Sequence, residues 1–196
     1  MPSIGAKKAV VCPSEEQFVN GGFETGDFTG WTKTGNANRW EVATQGFDYD
    51  YTVGAPPGGY MTPAEGTYLA KFHSIPGDPE LEFITGTLEQ IFAKQIPTSC
   101  FTDSSIFQVK TSYTGPGCPN PPLNVWQVEI LYTDGTSTVV DMSGDLGNEW
   151  TTHDLKAVLE PGKTVKGIKF TVKMYGWVSI GNPAQEAYID ACTCFV

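Results

Sequence analysis

Residues 20–31, NGGFETGDFTGW, decide how the rest of the chain is read. A Gly-Gly pair lets the backbone approach a neighbour closely or take a positive φ. Phe23, Phe28 and Trp31 are large apolar anchors around a Gly-Asp turn. Glu24 stands among them, and a carboxylate beside a core needs a cation, backbone N–H groups or solvent. Such a stretch suits a strand edge that comes close to something and then bends.

Outward from it, turn formers stay frequent. The chain has 22 Gly and 14 Pro among 196 residues, and 17% of its residues are charged. That composition suits an all-β extracellular domain with many turns. Twelve basic residues stand against 22 acidic ones, a net charge of −10. This argues against nucleic acid, whose phosphates need basic patches, and against an anionic membrane surface. It suits a soluble secreted protein and permits cation binding. No run reaches membrane-spanning length, so membrane insertion is not expected. Residues 1–11, MPSIGAKKAVV, carry Lys7 and Lys8 without a long apolar run behind them. They are expected to form a tail or an edge strand, not an intact signal peptide. Residues 12–196 are expected to form one domain.

In chain order, 17–24 is expected as the first core strand, followed by 30–35 and 39–44. Residues 45–63 form a long loop rich in aromatics, Gly and Pro, of the kind that often carries function. Further strands are expected at 67–74, 83–93 (broken at Gly86), 105–113, 125–132, 136–142, 150–159, 165–174 and 186–195. Asp134-Gly135 is the best hairpin signal, suited to a type I′ turn. About ten short, evenly spaced strands and no helix predict an all-β fold. The expected architecture is a two-sheet antiparallel β-sandwich, a jelly roll.

The NGGFE…G…GW pattern resembles the first strand and turn of carbohydrate-binding modules with a galactose-binding-like β-jelly roll. NEWTT at 148–152 resembles the segment that family places before a late strand, and YID at 188–190 resembles its last strand. Where the family continues with a second Asp and an apolar residue, Ala191 and Cys192 stand here. The resemblance implies non-catalytic glycan binding. It also implies a structural calcium ion (Ca2+) joining the first strand to the last, held by the carboxylates of Glu24 and Asp190 and by carbonyls around Gly22 and Glu41. The alternative for those carboxylates is backbone capping.

Sugars stack their C–H faces on aromatic rings and hydrogen-bond at their edges. Trp40, Tyr49, Tyr51, Trp126 and Trp177 are candidate platforms, with Tyr60 and Tyr175 behind them, while Trp31 and Trp150 are expected in the core. Arg39, Asp48, Asp50 and Gln127 are candidate polar contacts. His73 and His153 are far apart in sequence, and no nucleophile elbow, phosphate loop or zinc-protease motif occurs, so no enzyme is expected. Of the five cysteines, Cys100 and Cys118 bracket one strand and a Gly-Pro loop and suit a local disulfide. In a jelly roll the first and last strands are neighbours, which places Cys12 near Cys192 or Cys194. Disulfides need an oxidising compartment, hence secretion or a cell surface. The rival function is structural: a self-assembling subunit of an extracellular filament, sheath or surface layer, with residues 1–11 adding a strand to a neighbouring copy. A hydrolase or lyase on the same sandwich is a weaker rival.

Overall fold

The computed structural model of the chain describes residues 10–47, 60–73, 83–112, 123–142, 150–175, 186–194 and 196. The strands in chain order are β1 (Thr32–Gly35), β2 (Trp40–Ala43), β3 (Gly46–Phe47), β4 (Tyr60–Met61), β5 (Leu69–His73) and β6 (Phe83–Pro97). They continue with β7 (Ile106–Ser112), β8 (Leu123–Tyr132), β9 (Ser137–Asp141), β10 (Thr151–Asp154), β11 (Thr164–Tyr175) and β12 (Glu186–Thr193). One sheet has the order β1-β6-β11-β8-β9 and the second β10-β7-β12-β5-β2, with β3 and β4 pairing apart. Every pairing is antiparallel. The expected two-sheet sandwich is what forms.

The period of two explains the layering. In β6, Ile84, Leu88 and Phe92 are buried while Phe83 and Ile91 point to solvent. The inner faces meet through large side chains, with the rings of Phe107 and Phe170 5.5 Å apart edge to face. The strand β6 runs unbroken through Gly86. Beyond β10, Leu155–Val158 turns into a short helix α1, because the Asp154 side chain accepts from the Lys156 amide at 2.8 Å. The strand expected over 150–159 therefore stops halfway.

Residues 17–24 are not a strand. Asn20 and Phe23 take φ of 55° and 58°, which no extended strand allows. The chain folds instead into successive turns, Phe23 N–H to Asn20 C=O at 3.1 Å and Gly26 N–H to Phe23 C=O at 2.9 Å. Phe18 and Phe23 stack on Trp31 at 5.8 and 5.5 Å and plug the core. This segment still lies beside the last strand, with Gln17 N–H donating to Cys194 C=O and Cys192 N–H to Gly21 C=O.

The β8–β9 hairpin also differs from expectation. Only Gly135 of the Asp-Gly pair has positive φ, at 86°, and Gly135 N–H bonds Tyr132 C=O while Tyr132 N–H bonds Thr136 C=O. This is a three-residue loop closed by a glycine bulge, not a type I′ turn.

The disulfide joins Cys12 to Cys100, so neither the Cys100–Cys118 bridge nor a Cys12–Cys194 bridge exists. The reason is the path of the N-terminal segment along β6. Val19 exchanges two hydrogen bonds with the Gln90 side chain, Glu15 pairs with Lys94, and Cys12 then reaches Cys100 just past the strand's end. Cys192 and Cys194 are buried thiols, and Cys118 lies outside the described residues. The bridge spans 88 positions of sequence and restricts the unfolded chain accordingly. Cys12→Ser should lower unfolding free energy by about 3 kcal/mol in a guanidinium titration. Reduction of the wild type should reproduce that loss, and neither should change the far-ultraviolet β signature.

Candidate binding site

Among the described residues, two polar clusters bear on the expected sites. The first is the junction of the chain ends. Cys192 C=O lies so close to Gly21 that a Cβ there would sit 1.9 Å from its oxygen. This contact carries Gly22 and Glu24 to Asp190 in β12. Around the position of a Cβ on Gly22 stand Glu65 Oε1 at 3.0 Å, Glu24 Cγ at 3.7 Å and Asp190 Oδ1 at 3.8 Å. Glu24 accepts from the amides of Thr67 and Tyr68 at 2.9 Å, and Asp190 Oδ2 accepts from those of Ala64 and Glu65 at 2.7 and 3.2 Å. The segment from Ala64 to Tyr68 is thus strapped down by two carboxylates.

Burial pushes the Asp190 carboxyl up to about 7. Amides of Ala191, Glu65 and Ala64 pull the other way, and the charge of Glu65 adds to the rise. Burial likewise raises both thiols, Cys194 to about 12, which leaves them protonated at neutral pH. Among the described residues no three His, Cys, Asp or Glu side chains are gathered closely enough to hold a metal ion as they stand. Of the expected metal set, Gly22, Glu24 and Asp190 come together. Glu41, expected to contribute through its backbone carbonyl, lies in the edge strand β2 opposite Lys71 of β5, and its side chain pairs with Lys71 and His73. Glu65 stands in the cluster, and sequence reasoning missed it because it lies in a Pro- and Gly-flanked loop without periodicity.

The expected sugar platforms fare differently. Trp40 and Trp126 are 3% and 0% exposed, one against Phe72 and the other against Phe170, so both are core residues. Period-two strands bury aromatics on one face, and nothing local marks which face that is. Tyr49, Tyr51, Trp177, Asp48 and Asp50 lie outside the described residues. Arg39 is half-buried at the end of a single turn leading into β2, and Gln127 lies on the outer face of the first sheet. His153 stacks on Phe107 at 4.9 Å.

The second place is the outer face of the second sheet, away from the hydrophobic core. Register places Lys110 opposite Tyr188, Tyr188 opposite Lys71, and Lys71 opposite Glu41. One row therefore crosses β7, β12, β5 and β2. Lys71 Nζ lies 3.5 Å from Glu41 and 3.7 Å from Glu186, His73 Nε2 lies 3.3 Å from Glu41, and Tyr188 donates its hydroxyl to Glu186. Lys110, Glu186 and Tyr188 are buried, and the Glu41 side chain is 51% exposed. Trp150 joins this face. It is half-buried, meets Tyr188 edge to face at 6.5 Å, and donates Nε1–H to Thr62 C=O at 3.2 Å. The expectation that Trp150 belongs with Trp31 in the main core is corrected: it packs with Leu69 and Tyr188 in a separate small cluster.

No protein-family model matches the chain, and no curated sequence matches it. Among solved structures the chain is similar to TmCBM61 in complex with beta-1,4-galactotriose (TM-score 0.45, 19% identity, covering 93% of this chain and 99% of that one). It is also similar to the CBM22-1 xylan-binding domain from Paenibacillus barcinonensis Xyn10C (TM-score 0.34, 12% identity, 97% of each chain). A third is the enzymatically active domain of bacteriophage CBA120 tailspike protein 4 (TM-score 0.45, 13% identity, 92% of this chain and 21% of that one). These are likenesses of strand arrangement, and the sugars named for those proteins are theirs alone.

Proposed function

We propose that this chain is a secreted, non-catalytic glycan-binding β-sandwich, with the outer face of the second sheet as its sugar site. The observation that carries this reading is the ion-paired row across that face. Burying ammonium and carboxylate groups costs free energy that apolar residues would not incur. Lys71, Glu186 and Tyr188 are buried, so their polar groups are satisfied by one another and not by water. Here Glu41, Lys71, Glu186 and Tyr188 hold one another in fixed orientations. Of these, the half-exposed Glu41 carboxylate is the group open to a sugar hydroxyl, from which it would accept, while the buried Lys71, Glu186 and Tyr188 fix its orientation. The Cys12–Cys100 bridge supports an oxidising compartment.

The reading includes a calcium ion at the chain-end junction. Hard oxygen donors suit it: Glu24, Glu65 and Asp190 would draw closer than they now stand to hold it, with the ion supplying the positive charge that the buried Asp190 carboxylate lacks. Among the described residues, no lysine or arginine is one of the groups that shift Asp190.

Two outcomes follow. In chelator, Asp190 titrates near 7 when folded and near 3.8 when unfolded. The folded state then binds more protons between those values. Its contribution to stability is full below about 4 and is lost as pH rises through about 7. Saturating calcium should reverse that slope and raise the thermal midpoint at pH 7, by about 2.7 kcal/mol of stability at a hundredfold excess over Kd. Glu65→Gln should blunt the rise, and a midpoint indifferent to calcium sinks the ion. For the sugar face, Glu41→Gln should weaken retention in affinity gels containing xylan or β-1,4-galactan by about tenfold, with the melting temperature nearly unchanged. Undiminished retention would remove the row from the site.

A further inference from the structure

We infer that Lys71 and Glu186 condense to an intramolecular amide, so that the mature protein carries a covalent link between β5 and β12. Register sets Lys71 opposite Tyr188 and His73 opposite Glu186, which makes Lys71 and Glu186 diagonal neighbours on adjacent strands. Their side chains share the outer face of the second sheet, and long side chains reach across such a diagonal. Here they meet: Lys71 Nζ lies 3.7 Å from Glu186 Oε1. The pair is shut away from solvent, with 11% of the Lys71 side chain and 1% of the Glu186 side chain exposed. This inference does not depend on the glycan reading.

The surroundings of the pair favour condensation in three ways. Proximity comes first, since holding amine and carboxyl in contact turns a bimolecular reaction into an internal one. Dryness is the second. Water is both the product of condensation and the reagent that reverses it, and it has little access to this buried pair. The third is a set of groups placed to move protons and hold charge. Glu41 Oε2 lies 3.5 Å from Lys71 Nζ and can take a proton from it. Tyr188 donates its hydroxyl to the other carboxylate oxygen, Glu186 Oε2, where negative charge gathers as the carbon becomes tetrahedral.

The step balances without an added reagent. Ammonium and carboxylate together bring three protons and two oxygens. The reacting form is the amine with the carboxylic acid, reached when one ammonium proton moves to Glu186 Oε1. Nζ then bonds to Glu186 Cδ while Glu41 takes a second proton from the nitrogen, and Oε2 carries the transient charge under the Tyr188 hydroxyl. Glu41 returns its proton to Oε1, the Cδ–Oε1 bond breaks, and Oε1 leaves as water. The last proton stays on the amide nitrogen, and nothing is oxidised or reduced. The amide N–H remains beside Glu41 and can donate to it. β12 lies at the centre of the second sheet, between β7 and β5. A link there ties its first residue to β5 and, unlike the Cys12–Cys100 bridge, survives reduction.

The test is the intact mass of the full chain after its disulfide is reduced. Folded wild type is expected to be lighter than its sequence by the mass of one water, and proteolysis should release the peptide of Lys71 joined to the peptide of Glu186. Chain kept unfolded in guanidinium should have the full mass and lose the water after refolding. Lys71→Arg keeps the positive charge without the amine and should hold the full mass. Glu41→Gln should slow the loss about a hundredfold, and an unchanged rate removes Glu41 from the step. A refolded wild type that keeps its full mass after days of incubation overturns the inference and leaves an ion pair. Water loss that persists in a folded Lys71→Arg overturns it as well. So does a link that maps elsewhere, for instance to Lys110, which also stands opposite Tyr188. If Lys71→Arg does not fold, peptide mapping of the wild type decides: a link between Lys71 and Glu186 upholds the inference, and any other result overturns it.

Discussion

The contact on which this molecule depends is the seating of Gly21 against the carbonyl of Cys192. Any side chain at position 21 would occupy the same space as that oxygen, so only glycine brings the two backbones within bonding reach. Once they meet, the segment before β1 is fixed against the strand at the centre of the second sheet. Trp31 and Phe23 enter the core there, and Glu24 is carried to the strap that Asp190 also holds. The strap continues back to Thr62, whose carbonyl holds Trp150. A single close approach thus connects the core, the acidic junction and the rim of the polar face. A β-sandwich could exist without it; this arrangement of polar clusters could not.

Much of this was legible in residue order, for a physical reason. Alternation has a fixed meaning in a half-buried strand, and runs such as IFQVKTS and WQVEILY give their strands away. The Gly-Gly pair also announced a close approach. What it could not announce was the manner. The chain makes it in turns with left-handed Asn20 and Phe23, and a phenylalanine at positive φ is not something local preference predicts. The helical turn at Leu155 followed from one capping carboxylate inside an otherwise strand-like run.

The candidate sites were legible in part, and the failures share a cause. Trp40 and Trp126 were weighed as platforms and are buried in the main core, while Trp150, weighed as core, is half-buried against the small cluster of Leu69 and Tyr188. An indole has the same apolar area whichever face of the sheet it occupies. Only the sheet order β10-β7-β12-β5-β2 decides which face is outside. The pairing of Cys12 with Cys100 has the same character, set by a segment running along β6 through Val19–Gln90 and Glu15–Lys94 contacts. Glu65 had no pattern to betray it, since a loop residue is defined by where its loop is tied.

The polar face raises the question of why a sheet would bury charge on the side it could leave wet. Replacing Lys71, Glu41 and Glu186 together by well-packed apolar residues would lose three ionic groups and relieve their desolvation, which in many proteins is neutral or favourable for stability. Their presence is therefore poorly explained by the fold's own needs. The hydrophobic core lies on the opposite face and gains nothing from them. Fixed groups of opposite sign, with an indole at one end and a half-exposed carboxylate at the other, are costly to hold ready in a free protein. They become favourable when a ligand uses the orientation that they give to the half-exposed Glu41. The balance of desolvation against preorganisation is what favours the proposed site on that side of the second sheet, apart from the cluster that binds the chain ends together.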